Sequence, residues 1–281
     1  MKKLFTLEYY KNLTYKPFQV FSILYFAILI AMLFIGLVDL NLGGLKINLK
    51  EQGIYNFPEI WNFITWIVAL LKIFLGLIIV FSICQEFTNR MFKQNVIDGL
   101  SRKEFIASKL LTIFTFAFVS TLLVFIISLI IGYSYSKSTD SELVFKEMFF
   151  IGHYFLKLLA FFCFLMFLSI LFRKSIFVFL AFFVWWIVEI IFGVIESVIR
   201  FYGMNLQEQI DAKKNTIMFS DFLPLSSMSN IVPSPLFRLG FFKMQGVVFE
   251  FQYPTASMIA CGIWCILFIA GSYWILKRRD W

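Results

Sequence analysis

Residues 94–110 read QNVIDGLSRKEFIASKL. They separate two long apolar runs, ALLKIFLGLIIVFSIC at 69–84 and LTIFTFAFVSTLLVFIISLII at 111–131. The stretch 86–98, EFTNRMFKQNVID, contains no helix breaker and distributes Phe87, Met91, Phe92, Val96 and Ile97 along its length. It predicts a helix lying at a membrane surface. Gly99 is the residue type that ends helices in the left-handed conformation, and Leu100 stands where the accompanying hydrophobic contact falls. Ser101 and Glu104 match the capping-box pattern, in which each side chain accepts a hydrogen bond from the other residue's backbone N–H. A new helix is therefore expected from Arg102 straight into the following apolar run. Helix, tight corner and capped helix make a rigid charged elbow, more than a plain connection requires. From the residues alone, such an elbow fits either a docking surface for another protein or a solvated anchor of topology.

The rest of the chain sets the medium in which this elbow sits. Of 281 residues, 60% are hydrophobic, 15% are charged and 39 are Phe. Soluble domains carry about 25% charged residues, so a soluble protein of this composition could not cover its own surface. Crossing a hydrocarbon core of about 30 Å takes roughly 20 apolar residues as helix. Runs at 18–38, 60–84, 110–133, 149–171, 176–199 and 255–276 meet that length. They are continuously apolar rather than alternating, which favours helices over a barrel. The expected fold is an all-α membrane protein of six transmembrane helices in a single domain, 1–281. An N-terminal amphipathic interfacial helix occupies 1–17, a segment outside the bilayer 85–109, and a long loop 200–254. Lys2 and Lys3 resemble the start of a signal peptide, but Tyr, Glu and Lys interrupt its would-be apolar core, so 18–38 reads as a retained span. Pro17 marks the break before that span. In the long loop, Pro224, Pro233 and Pro235 divide a Phe- and Val-containing stretch that is expected to lie back on the membrane or partly re-enter it.

Charge gives the orientation. The tail, the 85–109 segment, the turn at Arg173 and Lys174 and the C-terminus together hold 14 Lys and Arg, against 9 in the opposite, longer loops. Basic residues concentrate on the cytoplasmic side, so both termini and residues 85–109 are expected there, in a bacterial cytoplasmic membrane. The net charge of +8 then reflects attraction to anionic membrane lipid; no soluble basic domain is present to hold a nucleic acid.

Ionisable groups inside spans are rare and often functional. Lys72 falls within the second run, Lys157 in the fourth, and Glu189 and Glu196 in the fifth. Lys72 and Glu189 are a candidate intramembrane ion pair, lining a pathway or tying spans together. Lys157 and Glu196 are placed to reach the interfaces. Cys84, Cys163, Cys261 and Cys265 all lie in or at the ends of spans and read as packing residues. His153 is the single histidine, and no convergent catalytic or metal-ligating set accompanies it. A membrane-bound enzyme acting on lipid or protein would need one, so no catalytic, metal or cofactor residues are assigned. The phosphate-binding pattern G-x-x-x-x-G-K-[ST] is absent.

The run from Glu86 to Leu111 resembles the signature between the second and third spans of ABC-2 type transporter permeases. An acidic residue closes the second span, a short helix follows, and Gly99, Ser101, Arg102, Lys109, Leu110 and Leu111 complete the pattern. Arg90 and Met91 stand where many members carry Gly-Thr. The six-span layout, interfacial entry helix and long loop before the last span are similar too. The resemblance implies the membrane half of an exporter-type ABC transporter. Such a chain pairs with a second permease subunit, like or unlike itself, and with a separate ABC ATPase that carries ATP and Mg. The helix between spans two and three would be the coupling helix, with Glu86, Arg90, Lys93, Asn95, Asp98, Gly99, Ser101, Arg102 and Glu104 engaging the ATPase. A non-transporting complex with the same ATPase surface, mechanical or regulatory, remains an open alternative.

Overall fold

The computed structural model describes residues 8, 11, 14–33, 40–42, 45–47, 53–89, 91–97, 99–205, 216–235 and 254–278, with backbone alone at 32–33, 40–42, 45–47, 93 and 95. The chain runs α1 (Lys16–Leu33), a small hairpin of β1 (Leu40–Leu42) and β2 (Leu45–Ile47), α2 (Glu59–Leu70), α3 (Lys72–Thr88), α4 (Met91–Ile97), α5 (Arg102–Tyr135), α6 (Ser141–Phe145), α7 (Phe149–Phe172) and α8 (Ser175–Phe201). A 3-10 turn at Phe219–Phe222, α9 (Pro224–Asn230) and α10 (Thr255–Arg278) complete it. The hairpin pairs Leu40 with Ile47 and Leu42 with Leu45 in antiparallel register. Glu8, Lys11 and Thr14 are also helical, Tyr15 is not, and residues 1–7, 9, 10, 12 and 13 of the expected 1–17 helix lie outside the described residues.

Among the described residues, four stretches are long and apolar enough to cross a bilayer: Arg102–Tyr135, Ser141–Phe172, Ser175–Phe201 and Thr255–Arg278. A fifth arises if α2 and α3 are one span, but these two meet at a 43° bend. The second apolar run is thus not a single straight helix. At the bend Leu71 N donates to Val68 O and Phe74 N to Leu71 O, both at 2.9 Å. These tighter three-residue bonds replace the α-helical register and turn the axis. α1 begins at Lys16, so Pro17 sits in a first turn, where its missing N–H costs nothing; the break falls at Tyr15 instead. The helix expected over 86–98 is divided: Glu86–Thr88 finish α3, Asn89 caps it, and α4 begins at Met91.

α7 is the hub, packing on α2, α3, α5, α8 and α10. Two-thirds of its most apolar window is buried inside the chain, against 11% for α8, which therefore lies at the periphery. Gly76 lets α3 approach α7 closely, because a Cβ there would run into Leu165 and Phe161. A hydroxyl cluster joins three helices: Ser120 Oγ lies 2.6 Å from Tyr25 Oη and 3.0 Å from Tyr154 Oη. With water excluded, these hydroxyls satisfy one another, which also fixes α1, α5 and α7 in register.

Candidate coupling site

The elbow is built as a hard corner. Gly99 adopts φ +93°, a conformation costly for any residue with a Cβ. The capping box is complete: Glu104 N donates to Ser101 Oγ at 3.2 Å and Ser101 N to Glu104 Oε2 at 2.8 Å. Inside the corner Phe87, Phe92 and Phe105 pack ring against ring, with centroids 4.6–6.0 Å apart. Phe92 and Phe105 are buried, so this triad seats α4 against the end of α3 and the start of α5. Arg173, in the turn between α7 and α8, lies over Phe87 at 5.4 Å. Arg102 Nη1 donates to Lys277 O at 2.9 Å, tying the corner to the end of α10.

Behind the corner lies a buried ion cluster that composition and periodicity do not reveal. Lys109 donates to both oxygens of Glu8, at 2.7 and 2.8 Å, and to Glu86. Lys11 pairs with Glu86 as well, and Ser108 Oγ donates to Glu8 at 3.2 Å. Glu86 is fully buried and Lys109 is 2% exposed. Two acids and two bases balance in charge, the condition for holding ions away from water. Burial pushes the Glu8 carboxyl upward, but Lys109 and Lys11 outweigh it and hold it below its usual range. Burial and the neighbouring Lys109 push Lys11 below the usual lysine range, against the pull of Glu86 and Glu8. The cluster bonds the N-terminal segment, α3 and α5 to one another.

The expected coupling residues separate into distinct places. Glu86 is an internal tie rather than a surface contact. Gly99, Ser101 and Glu104 form the corner, and Arg102 anchors it. Lys93 and Asn95 stand on α4, with their side chains outside the described residues; Arg90 and Asp98 lie outside them altogether. Two apolar residues of α4 stand open beside the exposed Gln94: Val96 is 36% and Ile97 83% exposed. Glu8 and Lys11 were hidden in a tail that reads as lipid-facing, their one local sign being an acid among lysines at helical spacing.

The family model described as ABC-2 family transporter protein matches residues 81–281, from the second half of α3 through the corner to the C-terminus. The chain belongs to the ABC-2 transporter family. It is a multi-pass membrane protein of the kind that forms the membrane domain of ABC transporters. No curated protein matches it at a significant level.

At the other end of this ABC-2 chain, the acids of α8 act as clasps. Glu189 accepts hydrogen bonds from Leu225 N at 3.0 Å, Ser226 N at 2.8 Å, Ser226 Oγ at 2.9 Å and Trp185 Nε1 at 2.6 Å. It caps the N-terminus of α9, where unpaired N–H groups favour an anion. Glu196, two turns on, takes Phe219 N at 2.8 Å and Ser220 N at 2.7 Å. Together they hold residues 218–230 against α8, while Trp264 Nε1 donates to Phe222 O at 2.8 Å from α10. Lys72 and Glu189 are thus not brought into contact, because backbone donors fill both carboxylate oxygens. Lys72 Nζ instead lies 4.8 Å from the Phe161 ring centre. The described cysteines are free.

Proposed function

We propose that this chain is the permease subunit of an ATP-driven ABC exporter in a bacterial cytoplasmic membrane, with both termini and the elbow in the cytoplasm. A separate ABC ATPase docks on α4 and supplies ATP hydrolysis; the chain itself binds no cofactor. A second permease subunit packs in the membrane, and the peripheral α8 offers an apolar face for that contact. The observation that carries this reading is a stiff node with an exposed apolar tip. Ile97 and Val96 project from a short helix whose base is fixed by three rings, a capping box and the Glu8–Lys11–Glu86–Lys109 cluster. A push on the tip passes into α3 and α5 together, because neither can yield without breaking the cluster. Exposed hydrophobic residues at the tip of a short helix outside the bilayer suit a protein partner.

The test is purification of the tagged chain from its own host. A co-purifying ATPase whose nucleotide turnover rises when the complex is assembled supports the reading. A chain that purifies alone, with unchanged export when the ATPase's phosphate-loop lysine is replaced, refutes it.

A further inference from the structure

The bend between α2 and α3 leaves a lysine half-buried against α7, without the carboxylate expected to neutralise it. Lys72 is the first residue of α3, directly after the turn at Leu71. Its ammonium lies 4.8 Å from the ring centre of Phe161 on α7. One helical turn earlier on the same face of α7 stands Lys157, which is 5% exposed and makes no hydrogen bond or ion pair among the described residues. Lys157 lies about 12 Å along α7 from its start, by the rise of 1.5 Å per residue. Two lysine side chains from two helices therefore converge on one layer.

No countercharge in the described chain meets this pair. Glu189 is within electrostatic reach of Lys72, but its oxygens are taken by Trp185, Leu225 and Ser226. Cys261 faces both lysines, and a thiol is mostly protonated at neutral pH; it lies 3.6 Å from Ser227 Oγ. A buried lysine with no carboxylate partner among the described residues points to a partner from outside them.

We propose that Lys72 and Lys157 form a binding site for the acidic headgroup of an amphiphile, a phosphate or carboxylate attached to an apolar tail. The tail follows from the surroundings. Lys72 is half-buried, and its neighbours Leu70 and Ile73 are 54% and 49% exposed, so the open flank of the site is apolar. On the inner side Leu158 and Phe161 of α7 are buried. A free inorganic anion would lose its hydration here with nothing apolar to gain, whereas an amphiphile brings a tail that stays on the apolar flank. The chemistry is shared by a resident acidic phospholipid and by a single-chain carboxylate moving through the bundle. It stands independently of the ATPase partner.

Native mass spectrometry of the full-length chain released from detergent tests it, with two probe pairs that differ in charge: palmitate against hexadecanol, and dioleoyl phosphatidylglycerol against dioleoyl phosphatidylcholine. The wild type is expected to retain an anionic probe at least about tenfold more than its partner, the scale of one charge-assisted contact. Lys157→Met and Lys72→Met should each remove most of that preference, and Lys157→Arg should keep it. Preference for phosphatidylglycerol that survives purification identifies a resident lipid; preference for exchangeable palmitate identifies a passing ligand. Equal retention within both pairs, or Met variants that discriminate as well as wild type, overturns the site. A second measurement needs no variant. Reductive methylation of the wild type, mapped by peptide mass, should label Lys72 and Lys157 less when palmitate is present than when hexadecanol is. Equal labelling overturns the proposal as well.

Discussion

Replacing Lys109 with Met removes the cation that both buried acids share. Lys109 holds both Glu8 oxygens, at 2.7 and 2.8 Å, and Glu86. Without it Glu8 and Glu86 face Lys11 alone, and the site carries a net negative charge where Glu86 is fully buried. Stranding a charge in a buried pair costs about 3–5 kcal/mol. At about 2–4 °C per kcal/mol for chains of comparable size, the midpoint should fall by on the order of 10 °C. The double variant Lys109→Met/Glu86→Gln leaves one acid and one base, so it should recover about 1–3 kcal/mol of the loss, a coupling typical of residues in contact. Thermal unfolding in detergent, followed through the fluorescence of the 7 tryptophans, measures wild type, Lys109→Met, Glu86→Gln and the double variant. A single variant costing less than about 1 kcal/mol, or a double variant no better than the sum of its parts, would show that the cluster does not hold the elbow.

Gly99→Ala should cost about 1–2 kcal/mol. Nothing lies within 4 Å of the added Cβ, so the penalty is backbone strain and Gly99→Asn should cost less; thermal midpoints of the two variants decide it. Glu189→Leu strands the N-terminal donors of α9, and limited proteolysis should cut within 216–235 several times faster than in wild type, with Glu189→Gln intermediate. Unchanged cutting would mean the clasp is redundant. The Glu8 carboxyl is held below 4.5 in the folded chain, so its contribution is complete above that pH and is lost as pH falls through the folded value. Protection against hydrogen exchange around residues 8–14, corrected for the intrinsic rate at each pH, should therefore fall in acid below about pH 4.5, and Glu8→Gln should abolish that fall.

What the amino-acid sequence discloses follows the range of the interactions. The corner at Gly99 and the Ser101–Glu104 box depend on neighbours three residues away, and local rules find them. The long apolar helices are equally plain, because their lipid surroundings impose one composition throughout. The ion cluster is not local: Glu8 and Lys109 meet across 101 positions, and each alone reads as an ordinary surface charge. The pairing of Lys72 with Glu189 was suggested by opposite charge inside two spans. It lost to the backbone N–H groups of α9, whose return toward α8 no periodicity announces. The bend at Leu71 carries no Pro or Gly; its cause is a change in hydrogen-bond register, which side-chain type does not encode.

The central claim is that α4 is the point where a separate ATPase grips this chain. A photo-crosslinking residue in place of Ile97, 83% exposed, should capture a protein carrying the phosphate-binding loop motif in intact cells, whereas one in place of Tyr202, 87% exposed at the opposite end, should not. An ATPase captured from position 202, or a position 97 that yields none and reacts only with reagents added outside the cell, would contradict it.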